Sequence, residues 1–207
     1  MASFGIHLAI GKRYCEKVGI TDGIKDIYRG IIAPDLVDNK VDSHYSGELV
    51  KGDLVHNLPN KVLLTNFLAN ESIDTDYQKG VFLHLITDYL FFNDFFDKEF
   101  IAGVSSLKFC EDLYYSYDIL DKYLIEKYSL DYSDFSDALS ENISKTLNKF
   151  QVDKEEYSNI LPTDKVDDFI EKVSSIDLEK YKTLILMSGT NVLPTSTMLY
   201  SNTNIEN

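Results

Sequence analysis

A chain of 207 residues that is 44% hydrophobic and 13% aromatic can build one well-packed core, which excludes a largely disordered protein. Its net charge of −14 argues against nucleic acid and against docking by charge on an anionic membrane, but not against a divalent cation, because carboxylates are hard-cation ligands. Cys15 and Cys110 form no Cys-x-x-Cys pair, so reduced thiols are expected. The first residues place apolar side chains before charges, the reverse of a secretion signal. No stretch reaches the ~18 apolar residues of a membrane span. The expectation is a cytoplasmic protein with no stable membrane insertion.

Ser3 can cap a first helix running to about Val18, with Phe4, His7, Leu8 and Gly11 on one face. His7 therefore lies on an inward stripe, where a histidine is more often a satisfied core residue than a ligand. Asp22 is placed to cap a second helix through Ile27 and Tyr28. That helix gives way at Gly30-Ile31-Ile32-Ala33-Pro34-Asp35, because the residue before a proline is pushed out of the helical region. Asp35 emerges directly after an apolar run, either as an ordinary turn aspartate or pointing back into the protein. A polar loop with Lys40 and His44 follows. Residues 46 to 58 read as irregular, with His56 as a surface residue, and Pro59 suits the first turn of a helix over about 59 to 69.

The stretch from Asp74 to Phe96 predicts a central helix. It contains no proline, Asp74 or Thr75 can cap it, and it is apolar nearly all round, as in a helix buried on most sides. His84 and Asp88 interrupt its oiliest part. Four residues apart, they lie on one face, one turn above the other. Buried ionisable groups cost free energy unless each has a partner. Two readings stay open here: a His–Asp hydrogen bond in the core, or joint ligation of one metal ion.

Ser105 or Ser106 opens a further helix to about Tyr128, in which Asp112, Asp118 and Asp121 read mostly as solvated, with Asp118 placed where it could face a cleft. Amphipathic patterns predict helices over 133 to 150, 163 to 173 and 177 to 187, and the tail from Thr190 is polar. The fold class is all-α: one helical domain over 1–189 and a polar tail over 190–207. There is no glycine-rich phosphate loop and no Gly-x-Ser-x-Gly elbow. His7, Asp35, His44, His84 and Asp88 are the polar outliers that can converge in a bundle. Together they have the chemistry of a two-metal centre, with Asp88 placed to bridge ions about 3.5–4 Å apart.

The order His7, Gly30-Ile-Ile-Ala-Pro-Asp35, Ser43-His44, Gly80-x-x-x-His84-x-x-x-Asp88 resembles the zinc-dependent phospholipase C family over about the first hundred residues. The resemblance implies a multi-helix bundle of the phospholipase C/P1 nuclease type. It implies that His44, His84 and Asp88 hold one Zn²⁺, with Asp35 beside it as ligand or general base, and that His7 and Asp88 hold a second. It implies hydrolysis of a phosphate ester, from a small phosphate ester or a phospholipid headgroup. Secreted members bind metal through an amino-terminal Trp and carry later histidines, whereas this chain has no Trp and no His after His84. Asp94, where those enzymes have a His, and Asp118 are carboxylates that can substitute, which would favour Mn²⁺ or Mg²⁺. Ten residues rotate a helix by about 1000°, however, so Asp94 faces away from His84. Two alternatives stand beside this reading. One is a non-catalytic helical protein with a structural or vestigial metal site. The other is an HD-type nucleotide phosphohydrolase, which needs an adjacent His-Asp pair; His7, His44, His56 and His84 are followed by Leu, Tyr, Asn and Leu.

Overall fold

A computed structural model describes residues 1–46, 58–131 and 158–187. The described residues are mostly helical and contain no strand, in agreement with the all-α class. In chain order the helices are α1 (Phe4–Val18), α2 (Ile24–Ile32), α3 (Lys40–Ser43), α4 (Lys61–Asn70), α5 (Asp76–Leu90), α6 (Lys98–Gly103), α7 (Ser106–Lys127), α8 (Thr163–Val173) and α9 (Leu178–Met187). A 3₁₀ turn, Ala33–Leu36, follows α2, and a π turn, Phe91–Phe95, follows α5. None of these helices is long and apolar enough to cross a membrane. The expected helix over 133 to 150, the loop histidine His56 and the tail from Thr190 lie outside the described residues.

The central helix forms where the sequence predicts it. The Thr75 hydroxyl accepts from the Gln78 backbone N–H and the Gln78 side-chain oxygen accepts from the Thr75 N–H, both at 3.2 Å. This reciprocal pair satisfies two of the donors that a helix start leaves orphaned. Every residue from Gly80 to Asp88 is buried, so the helix is a core element and not a surface one. Three local expectations differ. The α2 cap is Gly23, at φ +85°, and not Asp22. Asn60 caps α4 through its side chain, one residue after Pro59. α3 forms inside the expected polar loop because the Asn39 side chain caps it.

Helix α5 packs most extensively against α2, and a glycine pair explains how. A Cβ on Gly30 would overlap the Tyr77 carbonyl oxygen and stand 2.9 Å from the Val81 nitrogen. Without Cβ atoms the two backbones meet directly, the close approach that glycine alone allows. Helix α1 lies against α2 and α7. On its outer side Arg13 and Lys17 hold Glu171 of α8 at 2.8 and 2.9 Å. Around the π turn, Phe91, Phe95, Phe96, Phe109 and Phe169 interlock with ring centroids 5.1–5.7 Å apart, an aromatic wall beneath the far end of α5.

Candidate metal centre

The α2–α5 crossing fixes the first ligand candidate. It sets the Ile31 carbonyl 2.7 Å from His84 Nδ1. A carbonyl only accepts, so Nδ1 carries the proton and the Nε2 lone pair faces inward. His44, just past α3, is oriented the same way: its Nδ1 lies 2.9 Å from the Lys40 carbonyl. The two Nε2 atoms stand 3.0 Å apart. Two imidazole lone pairs aimed at each other across that distance require a cation or a proton between them.

Asp88 and His7 complete the arrangement. Asp88 Oδ2 lies 3.4 Å from His84 Nε2 and 3.6 Å from His44 Nε2. Asp88 Oδ1 accepts the Ala2 backbone N–H at 2.7 Å and lies 3.4 Å from His7 Nε2. The His7 ring stacks on His84 with centroids 3.8 Å apart and planes 8° from parallel. Asp35, in the 3₁₀ turn, stands 3.6 Å from His44 Nε2, and Lys40 Nζ pairs with it at 3.1 Å. Both His7 ring nitrogens and Asp88 Oδ2 are buried without a hydrogen-bond partner among the described residues. Buried polar groups are rarely left so.

The electrostatics follow from this packing. Burial works to raise the Asp88 carboxyl, but the His84 charge and the nearby His7 and His84 nitrogens outweigh it and hold it well below the usual range. Asp35 is likewise lowered, burial being overcome by His84 and His7, so both carboxylates are ionised. Burial also lowers His84, yet Asp88 beside it turns the net shift upward. His7 is lowered by burial and by His84, and His44 is pushed down to about 4 by the same two causes. A lone proton therefore belongs on His84. From His84 Nε2 it can be donated to His44 Nε2 across the 3.0 Å gap, but both His7 ring nitrogens stay without a hydrogen-bond partner among the described residues. A divalent cation among His44 Nε2, His84 Nε2 and Asp88 Oδ2 answers the facing lone pairs and the unpartnered carboxylate oxygen together, so the donor set fits a metal ion.

Two overlapping groups have ligand atoms within 4.8 Å of one another: His44, His84 and Asp88, and His7, Asp35 and His84. With Nδ1 committed to Ile31, His84 has one lone pair to give, so both groups cannot use it independently. A second ion would depend on Asp88 as the bridge, through the oxygen beside His7.

All five residues singled out in the sequence meet here: His7, Asp35, His44, His84 and Asp88. The further carboxylates do not join them. Asp94 pairs with Lys172 of α8, and Asp118 is exposed. Asp112 and Asp121, expected in solvent, are instead drawn in. Asp112 accepts the Ser158 N–H at 2.9 Å and Asp121 accepts the Ser3 hydroxyl at 2.6 Å. Lys40, Tyr117 and the backbone of Ala2 and Ile31 are neighbours that the sequence did not single out. Tyr117 donates to the Met1 carbonyl at 2.5 Å, seating the first residues beside Asp88. A cavity of about 260 Å³ opens next to His44, with Lys40 at its rim and Val41, Phe92, Leu113 and Tyr117 in its wall.

No protein-family model matches this chain, and no curated protein or solved structure does either.

Proposed function

We propose that the protein is a metal-dependent phosphoric ester hydrolase, resembling zinc-dependent phospholipase C in its site and in a helical fold of the phospholipase C/P1 nuclease type. The observation that carries this reading is the pair of Nε2 lone pairs facing each other at 3.0 Å beside an ionised, unpartnered Asp88 oxygen, next to an open cavity. Such a donor set serves a purely structural site equally well in principle. A structural site is closed, however, and here His44 lines a cavity large enough to admit a substrate group.

His44, His84 and Asp88 would hold one ion, and His7 with the other Asp88 oxygen would flank a second. The three imidazoles favour Zn²⁺, while the Asp88 carboxylate also suits Mn²⁺ or Mg²⁺. When bound, such an ion lowers the pKa of water and neutralises charge on phosphate oxygens. The chain supplies the rest. Asp35, ionised, partly buried and 3.6 Å from His44 Nε2, would accept a proton from the attacking water. The water oxygen would form its bond to phosphorus as the bond to the leaving-group oxygen breaks, the oxyanion departing with the electron pair and taking its proton from solvent. The Ile31 and Lys40 carbonyls hold the two imidazoles in the tautomer that leaves Nε2 free. The substrate is a small phosphate ester or a phospholipid headgroup, and a net charge of −14 disfavours nucleic acid.

The test is metal content by mass spectrometry on protein grown with zinc and manganese, coupled to turnover of a chromogenic phosphodiester. Bound metal that is lost in His84→Ala, together with turnover that follows the metal, supports the proposal. A protein that takes up metal yet turns over no phosphate ester is a structural metal protein, and the proposal fails.

A further inference from the structure

The wall of the cavity beside His44 carries information about the substrate that the metal ligands do not. Among the described residues lining it, Lys40 bears the only cationic side chain, burial having pushed His44 down to about 4. Nearly all the others are apolar or aromatic, including Leu63, Phe92, Phe109 and Leu113. Lys40 also touches the centre in two ways. Its backbone carbonyl orients His44 at 2.9 Å, and its ammonium pairs with Asp35 at 3.1 Å. A cation at the rim of an oily cavity, on a chain of charge −14, marks where an anionic group can be met while the rest of the ligand turns inward.

Resting on the proposed phosphoesterase reading, we infer that the substrate is a phosphate ester of one aryl group. Lys40 grips a non-bridging phosphate oxygen and the cavity takes the apolar group. Size decides between sources of apolar matter. A cavity of about 150 Å³ already holds benzene, so one of about 260 Å³ takes a single substituted ring, and two long acyl chains exceed it. The leaving-group chemistry agrees. The Tyr117 hydroxyl in the cavity wall already donates to the Met1 carbonyl, and burial pushes the phenol well above its usual range, so it is a poor proton donor. An aryloxide needs none. Water attacks phosphorus, Asp35 takes the proton, the bond from phosphorus to the aryl oxygen breaks, and the phenolate departs with the electron pair, to be protonated by solvent.

Binding of non-hydrolysable phosphonates to the zinc-loaded protein, by calorimetry, tests this without turnover. Phenylphosphonate is expected to bind at least tenfold tighter than methylphosphonate. Lys40→Ala should weaken both about tenfold, and Lys40→Arg should restore most of the loss. Cys110→Trp projects into the cavity from a half-exposed position on α7 and should erase the phenyl preference while leaving methylphosphonate unchanged. Val41→Phe, with circular dichroism on both variants, repeats the test from another wall. Equal affinity for the two phosphonates overturns the inference, as does faster hydrolysis of phosphatidylcholine vesicles than of a soluble aryl phosphodiester. Zinc measured in the same samples separates the failures. Zinc bound with no phenyl preference removes the substrate class alone, and no zinc bound removes the hydrolase reading and this inference with it.

Discussion

Gly30 and Gly80 face each other across the α2–α5 crossing so closely that a Cβ on either would stand 3.0 Å from the other's Cα. The crossing carries the Ile31 carbonyl to His84 Nδ1, so helix packing sets the tautomer of a metal-ligand candidate. Gly30→Ala or Gly80→Ala must push the helices apart against backbone atoms that cannot yield. Overpacking of side chains costs about 1–3 kcal/mol, and a backbone clash belongs at or above the top of that range. Urea denaturation should show this loss, and metal content should fall with it. A variant that is as stable as wild type with full metal would refute the coupling.

Removing the ion should loosen the fold. A ligand present at 100 times its dissociation constant stabilises the native state by about 2.7 kcal/mol. Chelation of the loaded protein is expected to lower the melting temperature by several degrees, and addition of zinc to restore it. His84→Ala should be insensitive to both treatments.

Asp35→Asn separates chemistry from structure. The amide keeps the shape of the turn and can still accept from Lys40, but it takes no proton from water. Turnover of a phosphodiester should fall about 10²–10⁴-fold with metal content unchanged. If the melting temperature drops and turnover per folded molecule does not, Asp35 is a structural residue.

Asp121 gives a pH signature away from the ligands. Burial pushes its carboxyl up from 3.8 to about 6, against hydrogen bonds from the Ser3 hydroxyl and the Gly5 backbone. The folded state thus holds a proton that the unfolded chain has released. The resulting stability is fully present below 3.8 and is lost as pH rises through about 6, an effect of about 2 to 3 kcal/mol. Asp121→Asn does not titrate, so its stability relative to wild type should increase between pH 4 and 6. Denaturation curves at several pH values would show this, and parallel pH profiles would contradict it.

Much of the centre was legible because it rests on spacing. His84 and Asp88 sit four apart on a proline-free apolar helix, and the Ala-Pro-Asp turn delivers Asp35 beyond a helix end. What spacing does not carry is contact between backbones. The carbonyls of Ile31 and Lys40 and the N–H of Ala2 have no signature in residue identity, although each orients a ligand candidate. Asp118 was misjudged for a related reason. Its neighbour Tyr117 turns into the cavity wall, and one step of a helix, about 100°, carries Asp118 out to solvent. Asp121, expected in solvent, is drawn under the start of α1 because Ser3 and Gly5 offer it donors from a distant part of the chain.

The π turn after α5 makes chain length itself a variable of this fold. Closed by the Phe96 N–H on the Phe91 carbonyl, it holds one residue more than an α turn. Asn93 occupies it, its side-chain amide donating to the Pro59 and Tyr89 carbonyls at 2.8 Å. Because the extra residue is absorbed within that one turn, deleting it would close an ordinary α turn and leave the residues after it in phase, with loss of the Asn93 contacts to Pro59 and Tyr89. Phe95 and Phe96 would keep their places in the aromatic wall, as would His84 and Asp88 upstream. A one-codon deletion there would thus release the tie to the start of α4 while sparing both the floor of the bundle and its metal-ligand face, and related chains that lack the extra residue could keep the same aromatics.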